Sequence, residues 1–489
     1  MQKSLSKNAF YKAVLNVFNL IVPLLVNPYI MNVLDVELYG AYNRVYAEFT
    51  VFLTLGAFGI YNYGVREISQ VRSHPDKVNR LFTSLFVIGV LANVVVGIIY
   101  VIYFSMVSSG IDFYIYAIMM IQLVGNMFYI EFINEAAENY RFITVKTILI
   151  RIGYLVSIFL FVRKPTDILP YTAVVCLTVF LNNFVSFVYL KRSLHFVWKH
   201  VSIVRHLVPL IIALILANVE ILYGQLDKLM IGRYLGDVEV SYYVIPTTLI
   251  GMISTVPLSL VSVAIPRLST MIGEGDRDGY VSVLNQTRDV FFAMLTPMCL
   301  GVVILAPEIM QIYGGDNYAG CWPVLVIAAL IRLFGFGNQS IVMNLMMYIN
   351  GLEKKMVWLL GLFGFVNLGM NVVLIWTGLF TTETALFTTG IATILFSVVA
   401  FRYTVKVLHL PIKMISSSQV KYLLVSVLFI PVGIVMKMLP GGAIVHAVLT
   451  MIPCILLYGL ALYYWQDDLL VLILKKCKLE RFLPKQTKK

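Results

Sequence analysis

Charge is scarce in this chain of 489 residues: 13% are Asp, Glu, Lys or Arg, against 60% hydrophobic. The mean hydropathy of +0.87 lies far outside the range of soluble proteins. Cysteine is scarce too. Its five positions (Cys176, Cys299, Cys321, Cys454, Cys477) are scattered, four in or beside apolar stretches and one in the basic tail. With no CxxC among them they read as small core residues, not as a disulfide or redox framework. A GxxxxGK(S/T) phosphate loop is missing, which argues against ATP hydrolysis. HExxH and paired-His spacings are missing as well, which argues against a catalytic metal. Nor is there a long polar segment to house a soluble catalytic domain. These absences leave non-enzymatic transport, with no cofactor.

What the chain has is apolar length. Stretches long enough to cross a bilayer lie near 8–34, 38–62, 81–107, 113–133, 147–163, 168–190, 207–226, 240–265, 283–306, 319–340, 357–377, 384–401, 421–439 and 443–465. The expected fold is therefore an all-α integral membrane protein with about fourteen transmembrane helices, roughly 35 residues per span and connection. The first run, Asn8 to Leu34, is too long for a signal-peptide core and reads as a retained span. With the N-terminus in the cytoplasm, 30 of the 37 Lys and Arg residues fall in inner segments. Only Arg163, Lys164, Lys228, Arg233 and Lys437 fall outside, while Arg44 and Arg332 lie within spans. This asymmetry places both termini inside a cytoplasmic (inner) membrane. The net charge of +12 is spread over short loops and tails, so it suits anionic lipid headgroups and not nucleic acid.

The chain also repeats itself. Asp35-Val36-Glu37 recurs as Asp237-Val238-Glu239, and Arg66-Glu67-Ile68-Ser69 is answered by Arg267-Leu268-Ser269-Thr270. Both pairs sit at matching places in the span order, which predicts two pseudo-symmetric six-helix lobes, 1–206 and 207–412. An even number of spans per lobe makes the copies parallel. Residues 413–489 then hold two further spans and a basic cytoplasmic tail. Two lobes rocking around a central cavity describe a transporter.

Four stretches carry a family resemblance: YIMNVLDVELYGAY (29–42), ENYRFITVKTIL (138–149), QLDKLMIGRYLGDVEVSYY (225–243) and LAPEIMQIYGGDNYAG (305–320). With twelve spans in two parallel lobes plus two more, the chain resembles the multidrug/oligosaccharidyl-lipid/polysaccharide (MOP) exporter superfamily. Within it the chain looks like the Wzx-type oligosaccharide flippases and related teichoic-acid flippases. One departure is Leu34-Asp35, where many relatives have Leu-Gly. The resemblance implies a polyprenyl-diphosphate-linked oligosaccharide as substrate, alternating access, and coupling to Na+ or H+ or to the membrane potential. It makes glycan-assembly enzymes candidate partners and says nothing of oligomeric state. Alternatives are a cation-coupled multidrug exporter and a lipid II flippase of the same superfamily. From another class comes a membrane glycan polymerase or ligase, using an outer-loop carboxylate such as Glu308 or Asp316.

Candidate cavity residues are the ionisable and polar groups inside spans, each of which needs a partner or water. Arg44 and Glu48 share a face at i, i+4, either as a self-neutralising pair or as a cationic group for a diphosphate or acidic sugar. Asn218, Glu220, Tyr223 and Asp227 cluster in the seventh span, where Glu220 is the candidate carboxylate for a sodium ion or proton. Asp227 and Lys228 also read as caps of the outer helix end. Arg332 interrupts the tenth span and is expected to face the cavity, meeting phosphate or Glu220. Asn27, with Asn16 and Pro23, and Asn126, with Gln122 and Tyr129, form polar stripes that bind ligand or join helices. Glu131, near an inner end, is expected to be solvated.

Overall fold

A chain this apolar must satisfy its backbone polar groups within each segment, and helices do so without water. The computed structural model describes residues 5–471 other than 72, 201 and 468. The side chains of residues 215–224, and of several in the first helix, lie outside the described set. Among the described residues the chain is helical throughout, with no strand.

The first compact unit comprises residues 1–241. It contains α1 (Leu5–Val33), α2 (Val36–Ala57), α3 (Ile60–Val71), α4 (Pro75–Val107), α5 (Gly110–Met127), α6 (Glu131–Ala136), α7 (Tyr140–Phe161), α8 (Ile168–Lys191) and α9 (Val204–Tyr234), and α10 (Asp237–Gly273) begins in it. α1 and α8 flank α7, α8 packs on α5, and α2 packs on α4, α5 and α9. The second unit, 242–489, holds α11 (Arg277–Ile304), the short helices Ala306–Gly314 and Asp316–Ala319, and the apolar helices Trp322–Tyr348, Glu353–Trp376, Thr382–Leu408, Ser417–Lys437 and Ala443–Trp465.

Eleven helices among the described residues are long and apolar enough to cross a membrane. Three expected spans fall short of that description for local reasons. α1 contributes a shorter apolar stretch, Val17–Val33. In the stretch 38–62, α2 ends where Phe58 and Gly59 both take the left-handed region. Though 22 residues long, α2 is also less apolar, because it carries Glu37, Asn43, Arg44 and Glu48. The stretch 207–226 lies in α9, many of whose side chains are outside the described residues. The two Asp-Val-Glu copies do sit alike, each at a helix start. Asp35 caps α2, its Oδ1 accepting from the Glu37 and Leu38 N–H groups at 3.0 and 3.1 Å, and Asp237 opens α10.

Lipid supplies no hydrophobic force between helices, so close contact depends on small residues. Gly40 on α2 meets the start of α10 so closely that a Cβ there would stand 1.7 Å from the Asp237 carbonyl oxygen. At Gly125 on α5 a Cβ would stand 2.9 Å from Phe180 Cα on α8. The faces left over are apolar: Val95, Ile98, Ile99 and Ile102 on α4 are all more than half exposed, as suits lipid-facing side chains.

Candidate functional site

Arg44 lies two turns into α2 and is the hub of a charged cluster. Its Nε donates to Asp237 Oδ1 at 2.6 Å and its Nη2 to Asp237 Oδ2 at 3.0 Å. Nη2 also donates to Asp112 Oδ2, at the start of α5, at 2.7 Å. One guanidinium thus joins α2, α5 and the first turn of α10, with side chains about one-fifth exposed. The expected pairing of Arg44 with Glu48 is not what the structure shows. One turn deeper, Glu48 instead accepts from the Tyr103 hydroxyl at 2.7 Å and from the Tyr116 hydroxyl. Helical spacing brings Arg44 and Glu48 to one face, but stronger geometry comes from carboxylates on neighbouring helices. These groups line a cavity of about 390 Å³ together with Arg233 and Gly236.

A second cavity, of about 420 Å³, lies between α1, α7 and α8. Each helix presents one face to it: Asn19, Pro23 and Asn27 from α1; Thr147, Arg151 and Tyr154 from α7; Tyr171, Thr178 and Asn182 from α8. By the charge asymmetry Arg151 belongs to the thirty inner cations, although it also lies within the apolar stretch 147–163. The structure places it in the middle of the 22-residue α7, making it a third intramembrane arginine. Its position inside the stretch 147–163 was the signal that pointed there.

Lys146, also assigned to the inner side, is buried on α7 and holds Glu131 at 2.9 Å while donating to Ser186 Oγ at 2.7 Å. Glu131 is correspondingly buried, not solvated, because the cation that neutralises it comes from α7. Asn126 donates to Asn93 Oδ1 at 3.1 Å, linking α5 to α4, and so takes the helix-joining role.

Asp227 and Lys228 do not cap a helix end: α9 continues to Tyr234, and Asp227 is 1% exposed. Lys228 donates to Gln225 Oε1 at 3.1 Å. Asn218, Glu220 and Tyr223 lie on α9, but their side chains, like that of Asn16, are outside the described residues. In the second unit Arg332 opens a π-helical segment, Arg332–Phe336, and stands over the Phe336 ring at 4.9 Å. Glu308, the outer-loop carboxylate a glycan-joining reaction would use, is buried and paired with Lys437 at 3.0 Å. Outside the spans, Asp167 accepts from the N–H groups of Arg163 and Lys164 at 2.9 and 2.8 Å. Those two bonds hold its carboxyl below the usual range. No group of three or more His, Cys, Asp or Glu suited to a metal ion occurs among the described residues.

Comparison with known proteins places this geometry in a family. A family model described as "Polysaccharide biosynthesis protein" matches residues 5–272, more than half of the chain. A candidate O-antigen transporter of Escherichia coli (strain K12) is 26% identical over 170 residues, covering 34% of this chain and 40% of that protein. The chain thus spans well under half of that relative's length. A candidate O-antigen transporter of Shigella dysenteriae is 18% identical over 321 residues, 64% of this chain and 79% of that one. In fold the chain is similar to the lipid II flippase MurJ in an inward closed conformation. The TM-score there is 0.68 at 14% identity, with 94% and 99% of the two chains covered. It is also similar to an inward-facing multidrug-resistance MATE transporter of the MOP superfamily (TM-score 0.57, 11% identity, 81% and 94% covered). The chain belongs to the polysaccharide biosynthesis protein family and is a multi-pass membrane protein.

Proposed function

We propose that the protein is a flippase that carries a polyprenyl-diphosphate-linked oligosaccharide from the inner to the outer leaflet by alternating access. The family match over residues 5–272 carries this reading. The MurJ-like fold supplies a helical scaffold compatible with it. In this reading fourteen helices cross the membrane with both termini inside. Residues 1–206 and 207–412 form the two lobes around a central cavity, and 413–489 add a helix pair and tail.

With that orientation the starts of α5 and α10 face outward, so Arg44 acts as a latch that keeps the outer end closed. Its two carboxylate partners leave it little charge to offer a diphosphate, which moves substrate recognition to other residues. Glu220 is the candidate group for Na+ or H+ coupling. The names of the relatives suggest an O-antigen-type repeat unit as cargo.

The test is mass spectrometry of polyprenyl-linked glycans in cells depleted of the protein, combined with a leaflet-resolved labelling of those glycans. Accumulation of an inner-leaflet lipid-linked oligosaccharide with loss of the matching surface polymer is expected. An unchanged lipid-linked pool with altered sensitivity to cationic drugs would overturn the reading in favour of multidrug export.

A further inference from the structure

The cavity between α1, α7 and α8 is lined by polar groups that the fold itself does not use. Among the described residues, the side chains of Asn27, Arg151 and Asn182 make no hydrogen bond or ion pair, and the buried Asn19 Oδ1 has no partner. Elsewhere in the same unit, several buried amides and cations are engaged. Asn93 donates to the Gly56 and Gly89 carbonyls, Lys146 is held by Glu131 and Ser186, and Arg44 by two aspartates. Of the cavity groups, Asn19 Oδ1 is cut off from water with no partner, which is costly, while the half-buried Asn27, Arg151 and Asn182 side chains stay open to the cavity and free to meet a ligand. A cavity of about 420 Å³ is within the ordinary range for small-ligand sites.

The lining also defines what fits. It contains Arg151 and no Asp or Glu, so it favours an anion and repels nothing negative. A single guanidinium matches one carboxylate in a two-bond fork; a diphosphate, with at least two charges, would leave one uncompensated. Asn19, Asn27, Asn182 and Thr147 supply donors and acceptors suited to ring hydroxyls, and Thr178, whose hydroxyl donates to the Val174 carbonyl, adds an acceptor. Tyr154 and Tyr171 add aromatic faces for the apolar side of a sugar ring.

We propose that this cavity is a specificity site for a sugar bearing one carboxylate, a uronic acid-type residue of the carried oligosaccharide, with Arg151 as the carboxylate-binding residue. The inference rests on the flippase reading and names its substrate class: an acidic repeat unit. Arg151 on α7 and Asn182 on α8 hold the charged sugar while Asn19 and Asn27 on α1 close over its hydroxyls.

The test is equilibrium binding to the full chain in phosphatidylcholine nanodiscs, read by saturation-transfer NMR. The probes are glucuronate, galacturonate, the methyl ester of each, glucose and inorganic pyrophosphate. At least one uronate is expected to bind about tenfold or more tightly than its neutral ester, as a charge-assisted hydrogen-bond pair implies. Arg151→Gln should erase that ratio, and Arg151→Lys, which keeps the charge without the fork, should reduce it several-fold. Should Arg151→Gln not fold, the uronate-to-ester ratio of the unmodified protein and the Arg151→Lys variant decide the matter. Equal, weak binding of all sugars would overturn the proposal and leave the cavity a water-filled space. Pyrophosphate binding that exceeds uronate binding and depends on Arg151 would overturn it too, assigning the site to the lipid diphosphate. Either failure, alongside accumulation of lipid-linked oligosaccharide on depletion, would leave the flippase reading standing.

Discussion

Replacing Arg44 with alanine removes the cation that, among the described residues, holds Asp112 and Asp237 together, and the size of the effect follows from the geometry. Each ion pair at contact distance is worth about 4 kcal/mol before desolvation at an effective dielectric near 20. Desolvation of three charges offsets much of this. Breaking a fully buried pair costs about 3–5 kcal/mol, and an exposed pair about 0–1. At roughly one-fifth exposure the Arg44 cluster lies between those limits. An effect of about 2–3 kcal/mol is therefore expected, or about a 30- to 150-fold shift toward opening. The two carboxylates left behind add repulsion to the loss. Arg44→Ala with Asp237→Asn should recover part of the shift, since it removes one of the two repelling charges.

The assay is amide hydrogen exchange on the protein in nanodiscs, followed over 107–116 and 233–240. Exchange there is gated by local opening, so rates track its equilibrium constant. The latch predicts faster exchange in these two segments together, with α7 and α8 unaffected. Arg44→Lys should fall between the wild type and alanine, because an ammonium cannot span both carboxylates as a planar fork does. Unchanged protection in Arg44→Ala, in a protein that still folds, would refute the latch.

Gly40→Ala should open the same two segments without touching a charge, since its Cβ would stand 1.7 Å from a backbone oxygen of Asp237 and force α2 and α10 apart; hydrogen exchange over 233–240 checks it. Lys146→Met should lower stability by about 3–5 kcal/mol, because Glu131 would remain buried without its cation; thermal unfolding in detergent measures this, and adding Glu131→Gln should restore much of it. The Asp167 carboxyl, lowered by two backbone N–H bonds, contributes ordering of the α7–α8 loop that is fully present above the unfolded Asp pKa. That contribution is lost as pH falls through the lower folded value, so a carboxyl-carbon NMR titration should find Asp167 titrating below the usual range of aspartate side chains.

Hydropathy located the helices because it senses the demand that lipid makes on every backbone group, one segment at a time. It could not say which side chains meet. The partners of Arg44 lie 68 and 193 residues away in sequence, beyond the reach of any helical spacing rule. Glu48, four residues away, was the only partner that spacing could offer, and it is bound by two tyrosines on α4 and α5 instead. Glu131 was misjudged for the same reason. Its nearness to a helix end suggested water, whereas its neutralising lysine arrives from another helix. Arg151 is legible as a residue of the apolar stretch 147–163, yet a cation near an inner end also serves as a marker of orientation, and the sequence does not separate the two roles. The Asp-Val-Glu repeat was legible because a helix start is a local device. In the first copy Asp35 caps its own helix, and in the second Asp237 is drawn to Arg44.

That last difference shows how a repeat can acquire an asymmetric function. Once Asp237 binds Arg44, the second copy's helix start becomes a tie across helices, and the paired cation is largely removed from substrate chemistry. Lys146 is removed in the same way by Glu131. Each of these cations would have seemed an equal candidate for an anionic substrate if judged by intramembrane position alone. Position therefore identifies which charges need an explanation, and partnership decides what the explanation is. A cation saturated by carboxylates belongs to the scaffold or to its gate. Arg151 differs from both: among the described residues it faces a cavity with unpartnered amides around it and no carboxylate in the lining, so it keeps its charge to offer a ligand. In the proposed flippase reading that ligand is the cargo, which makes Arg151 the position where selectivity can be changed with the least harm to the fold.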